Sequence, residues 1–195
     1  MENFEKSAEI QNNQELDVLK QKLEGAGIDV DKWGKGQAKT LEHLQKEIEC
    51  GETILVKGEQ CELLRKVVVG GADIFYTSPE GKKYRLKEDR QIFKDGRERR
   101  RGLNHAVSEK MKDDENPNEA MVRGIKEELG IEGEVTLREL GSDTKTLSSP
   151  SYPGLQSQYV THKFEVILND SQFKPEGYIE EQKDKSTYFV WEEFE

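Results

Sequence analysis

The stretch Asp114–Ile131, D-E-N-P-N-E-A-M-V-R-G-I-K-E-E-L-G-I, constrains this chain more than any other because it specifies a helix from both ends. Asn116 is a good N-cap, since its side-chain oxygen accepts from a backbone N–H that the first helical turn leaves unpaired. Pro117 suits the first helical position, where no N–H is needed. Gly130 supplies the stop. With side chains advancing about 100° per residue, Val122, Ile125 and Leu129 fall within one quadrant and form a packing face. Glu127 and Glu128 lie on the opposite side and straddle the direction of Gly124.

Adjacent glutamates on a helix surface read either as solvated charge or as paired oxygen donors. The spacing around these two favours donors. The box of the Nudix hydrolases runs Gly, five residues, Glu, seven residues, then Arg-Glu-apolar-any-Glu-Glu-any-Gly-apolar. Glu115, Arg123, Ile125, Glu127, Glu128, Gly130 and Ile131 fall into that frame without a gap. The chain therefore resembles the Nudix superfamily, with Glu115, Arg123 and Gly130 as structural motif residues. The resemblance implies that Glu127 and Glu128 are catalytic and bind a metal, Mg²⁺ or Mn²⁺, through hard oxygen donors.

Two positions depart from the box. Gly124 stands where the family has the Glu after Arg, and Glu109 stands where it has its first Gly. The family's Glu completes a three-carboxylate face, because positions three and four apart on a helix converge. The resemblance assigns the backbone carbonyl at 109 to the metal, a contact that survives any side chain, and the Glu109 carboxylate itself is a candidate for the missing donor. Gly124→Glu is expected to restore the third carboxylate at no cost to the fold, since glutamate is a good helix former and glycine a poor one.

The chain has 195 residues, enough for one domain of ordinary size with an appendage. Hydrophobic residues make up 33% and charged residues 36%, so much of it is surface. A formal net charge of −10 argues against general nucleic-acid binding, which rests on neutralising phosphates. Cys50 and Cys61 form no CxxC pair, and no clustered histidines make a zinc site. The first residues lack a basic n-region and an apolar h-region, and no apolar run is long enough to span a bilayer. An intracellular, cytoplasmic protein is expected, with no membrane partner.

In chain order, residues 1–12 are polar and expected to be irregular. Helices follow at Asn13–Glu24, with Leu16, Val18, Leu19 and Leu23, and at Gln37–Cys50, with Leu41, Leu44 and Ile48; together they form an N-terminal helical hairpin. Strands are expected at Thr53–Val56, Glu62–Val69, Ala72–Thr77 and Lys82–Arg90, with Gly70-Gly71 and Ser78–Gly81 as turns. Asn104–Met111 is a short strand before the box, and Glu134–Leu140 and Tyr159–Leu168 are strands after it. Ser142–Gln158 reads as a long loop, a length that in compact domains usually marks function or disorder. Its Tyr152 has two readings, a platform for a nucleotide base or an anchor for the loop.

Arg97-Glu98-Arg99-Arg100-Arg101 is the one dense basic run, and guanidinium groups suit bidentate phosphate recognition. Arg99 and Arg101 are accordingly substrate-binding candidates with Tyr152. The C-terminal S-T-Y-F-V-W-E-E-F-E again looks like a Nudix strand. Just before it, Glu180 and Glu181 lie where the family often supplies a further metal-binding Glu; Glu181 is taken as the candidate.

The expectation is an α/β (α+β) protein: a Nudix-like α/β/α sandwich with a curved mixed sheet over residues 51–195, preceded by a helical extension over 1–50. Two functions follow from the resemblance. One is divalent-metal-dependent hydrolysis of a nucleoside diphosphate linked to another group; the other is an inactive Nudix-fold module that binds a nucleotide or a protein.

Overall fold

The computed structural model describes residues 2–103 and 105–195, with side chains from residue 13 onward. The contacts divide into two compact units, Met1–Val68 with Thr144–Val160, and Val69–Asp143 with Thr161–Glu195.

The helices of the first unit are α1 (Glu2–Gly25) and α2 (Leu41–Glu49), with a 3-10 turn at Val30–Lys32 between them. The expectation of irregular chain before residue 13 is corrected, because α1 begins at Glu2; residues 2–24 contain neither Gly nor Pro to break it. Met1 lies outside the described residues. The second helix starts later than expected, at Leu41, because Thr40 caps it: the Thr40 hydroxyl accepts from His43 N while the Thr40 N–H donates to His43 Nδ1. His43, exposed on the helix surface, thus closes a capping box.

The strands are β1 (Ile54–Lys57), β2 (Leu63–Thr77), β3 (Lys83–Phe93), β4 (Glu98–Arg99), β5 (Val107–Lys110), β6 (Thr136–Ser148), β7 (Gln156–Leu168), β8 (Tyr178–Glu181) and β9 (Lys185–Phe194). Among the described residues they form a nine-stranded mixed sheet of order β6-β7-β2-β3-β9-β8, with β1 and β5 paired to β2 and β4 to β3. The box helix is α3 (Pro117–Leu129). Asn104, expected to open the fifth strand, lies outside the described residues.

Two sequence expectations fail in the sheet for physical reasons. Gly70 and Gly71 do not turn the chain; they sit inside β2, opposite Glu109 and Ser108 of β5. There they permit close approach: a Cβ at Gly70 would lie 3.2 Å from Met121 Sδ, and one at Gly71 would lie 2.6 Å from the His105 ring. The long loop after Ser142 is also shorter than expected, because β6 continues to Ser148 and β7 starts at Gln156.

Each unit has its own core. In the first, Leu23, Ile28, Val30, Trp33, Leu44, Tyr152 and Leu155 pack together. The loop between β6 and β7 is held there by the N-terminal segment: Lys39 N donates to Ser151 O at 2.8 Å and Trp33 Nε1 to Pro153 O at 2.9 Å. In the second, Met121, Ile125 and Leu129 of α3 pack with Ala72, Ile74, Phe164 and Val166 of the sheet and Val107 of β5. Val122, expected in that face, is exposed, and Ala120, Met121 and Gly124 are buried instead. Among the described residues no helix is long and apolar enough to cross a membrane.

The first core predicts a large effect of its aromatic anchor. Trp33→Ala should destabilise the protein by about 3–5 kcal/mol, read from the midpoint of urea denaturation. A loss under about 1 kcal/mol would mean that the loop is held by other contacts.

Candidate active site

The site in the second unit is built on the turn between β5 and α3. Asp114 takes the left-handed backbone, φ 60°, which Asp tolerates better than most residues. The next turn brings Glu115 N to Lys112 O at 3.1 Å. Asn116 Oδ1 then accepts from Asn118 N at 2.9 Å to open α3, and Gly130 closes it in the left-handed region, φ 62°. The capping read from the sequence is therefore present at both ends.

Arg123 organises this turn. Its Nε and Nη2 donate to the two oxygens of Glu115 at 3.0 and 2.9 Å, its Nη2 also to Lys110 O at 3.2 Å, and its Nη1 to Glu109 Oε1 at 2.7 Å. One guanidinium thus joins helix, loop and strand, and the bidentate pair fixes its plane. The Arg123 hydrogen bond holds the Glu115 carboxyl below its ordinary range, and Glu115 Oε2 also accepts from Lys112 N. Glu109 is shifted the other way, because burial outweighs the help of Arg123.

Glu109, Glu127, Glu128 and Glu180 line one cleft of about 380 Å³, together with Arg101, Lys185, Gln91 and Ser108. The carboxylates come from β5, α3 and β8. Glu127 is exposed and within 3.7 Å of Arg123 Nη1. Glu128 is pushed up to about 8, first by burial and then by the charges of Glu180 and Glu109, against a backbone hydrogen bond from Ser108. Like charges that cannot all ionise are a frequent property of functional sites.

The sequence candidates are only partly brought together. Glu109, Glu127, Glu128 and Arg101 share the cleft, but Glu181 does not line it. Its carboxylate accepts from Ser186 Oγ at 2.7 Å, and its neighbour Glu180 faces the cleft, because successive strand residues point to opposite faces. Arg99 is committed elsewhere: it donates to Gln91 Oε1 and lies 5.3 Å over the Phe93 ring. Arg101 pairs with Glu88. Tyr152 belongs to the first unit, is fully buried against Trp33 at 5.0 Å, and carries Arg65 5.1 Å over its ring. Its enclosure corrects the base-platform reading and supports the anchoring one.

Sequence reasoning missed Lys185, Gln91 and the Ser108 N–H. Strand alternation over Glu180-Glu181 allows only one of the two to face the cleft, a signal that was present; nothing local marks Gln91, a buried amide on β3.

Gly124 is buried, and a Cβ there would lie 2.8 Å from Glu109 Cβ and 3.2 Å from its Cγ. The expectation that Gly124→Glu is free of cost is therefore overturned, because β5 occupies the space that the helical wheel left open. As a metal site, the donor set is suitable, being all carboxylate oxygen. Among the described residues, however, no three such side chains are gathered closely enough to enclose an ion.

No family model matches the chain and no curated protein is similar to it. Solved structures are similar to it. The C. elegans Ap4A hydrolase is 16% identical with a TM-score of 0.37 over 65% of this chain and 80% of its own. The NUDIX domain of Shewanella oneidensis NrtR, complexed with ADP ribose, is 11% identical with a TM-score of 0.40 over 65% and 71%. A MutT/nudix family protein from Enterococcus faecalis is 15% identical with a TM-score of 0.45 over 80% and 52%. The box residues lie on one loop and helix beside a large mixed sheet, an α/β fold.

Proposed function

We propose that this protein is a divalent-metal-dependent hydrolase of a nucleoside diphosphate linked to another group. The observation that carries the proposal is the cleft itself, in which four carboxylates from three elements face two cationic side chains. Glu127 and Glu128, with Glu109 and Glu180, are the residues that would hold Mg²⁺ or Mn²⁺. Such an ion, when bound, supplies neutralisation of pyrophosphate charge and activation of water. Arg101 and Lys185, which line the same cleft, would bind phosphate oxygens, and Arg101 is the stronger candidate because its fork is already oriented by Glu88. Glu128 is the group suited to holding and releasing a proton near neutral pH.

The second reading, a module that binds a nucleotide without turnover, is favoured by Gly124, which stands where the resemblance would put a further carboxylate. A screen of the purified protein against dinucleoside polyphosphates, nucleotide sugars, ADP-ribose and nucleoside triphosphates, with Mg²⁺ and Mn²⁺, separates the two. Product formation that Glu128→Gln abolishes is expected. Ligand binding with no product from any of them would replace the hydrolase with the binding module.

The proton on Glu128 gives an independent test. Its folded pKa of about 8 lies above the ordinary 4.5, so between those values the folded state binds more protons than the unfolded state. Stability therefore falls as pH rises through that window. Without metal, the thermal midpoint should drop with rising pH, and Glu128→Gln should flatten that drop. Cation binding should release protons below about pH 8, seen as a buffer-dependent heat in calorimetry. Equal pH profiles for the two proteins would mean that Glu128 is ionised in the fold.

A further inference from the structure

We infer that a groove in the first unit, between α1, α2 and β1, is where two copies of this chain pair, with their α1 helices running antiparallel.

Val18 needs a reason. It sits in the interior of α1, where a β-branched residue loses side-chain freedom, and at 66% exposed it recovers little by packing. It is not a scattered apolar residue on an open surface. Val18 lines a groove of about 600 Å³ with Leu19, Ile48 and Leu55, partly buried side chains that also pack on the first core. Ile54 of β1, 38% exposed, lines the same groove. A contiguous apolar recess with a polar rim marks a contact surface.

The charges of the rim select the occupant. Gln45, itself buried, donates to Glu49 Oε1 at 2.6 Å and to Glu15 Oε2 at 3.5 Å, so the two carboxylates stand together at one end of the groove. Lys22 lines the groove about two helical turns further along α1. The order is therefore acidic, apolar at Val18 and Leu19, then basic. A surface of that order is complementary to itself when reversed. A second α1 laid antiparallel, with Val18 opposite Leu19, brings each Lys22 to the Glu15 of the other copy and each Val18 into the other's groove. The contact is isologous, so each favourable pair forms twice. Local opposite charges also offset the repulsion between two chains that each carry a net charge of −10. A uniformly basic segment would meet Lys22, and an uncharged ligand would use none of the rim.

Sedimentation equilibrium of the full chain tests the pairing, with a dimer expected in the micromolar range. Glu15→Lys and Lys22→Glu should each weaken it by about tenfold or more. An equimolar mixture of those two variants should recover the dimer, because each then supplies the charges that the other lacks. Val18→Asp should weaken the wild-type dimer as strongly as either charge reversal. All three positions are exposed, so the fold is not at stake, and circular dichroism should be unchanged. A mixture as weak as either variant alone would overturn the antiparallel pairing. So would a dimer that Val18→Asp leaves intact. A wild type that sediments as a monomer throughout would also overturn it and leave the groove to a ligand or to a different protein.

Discussion

The guanidinium of Arg123 is the constraint on which the site depends. A loop that reverses between a strand and a helix exposes backbone groups and costs conformational entropy, and it stays in one shape only when something bridges its two sides. Arg123 does so with one planar group that reaches Glu115 in the loop, Lys110 O and Glu109 on β5, and Glu127 one turn along its own helix. Its partners are acidic and partly buried, so each separately is costly and the cluster is stable only as a unit. The loop is thereby fixed, and the carboxylates of α3 and β5 face the same space.

Charges of both signs meet in that space. Burial first, and then the charges of Glu180 and Glu109, push Glu128 up to about 8. Arg101 and Lys185 at the same cleft supply the opposite sign. The basic run from Arg97 is otherwise absorbed locally: Arg97 pairs with Asp95, Arg99 with Gln91, and Arg100 with Asp89 and Glu98. Arg101, itself paired with Glu88, is the guanidinium of the run that lines the cleft.

The loop and helix of the box were legible in the sequence because capping, proline placement and the ion-pair residues are local signals. Asn116, Pro117 and Gly130 act in the structure as their chemistry predicts. What failed was everything that depended on a neighbouring strand. A helical wheel gives the direction of Gly124 but not that β5 lies in that direction. Gly70-Gly71 reads as a turn until the Met121 and His105 side chains that need the room are known. Tyr152 looks available in a loop rich in Ser and Pro, yet its burial is decided by Trp33, more than a hundred residues earlier in the chain. The same distance in sequence hides the purpose of the N-terminal segment, which holds that loop in the first unit.

The central proposal is that the cleft lined by α3, β5 and β8 takes up a divalent cation. An anomalous difference map from crystals soaked in Mn²⁺ addresses it most directly, because it locates the ion independently of any activity. The account predicts a peak in the cleft with Glu127 or Glu128 among its ligands. No peak in the cleft, or a peak only elsewhere on the protein, would contradict it.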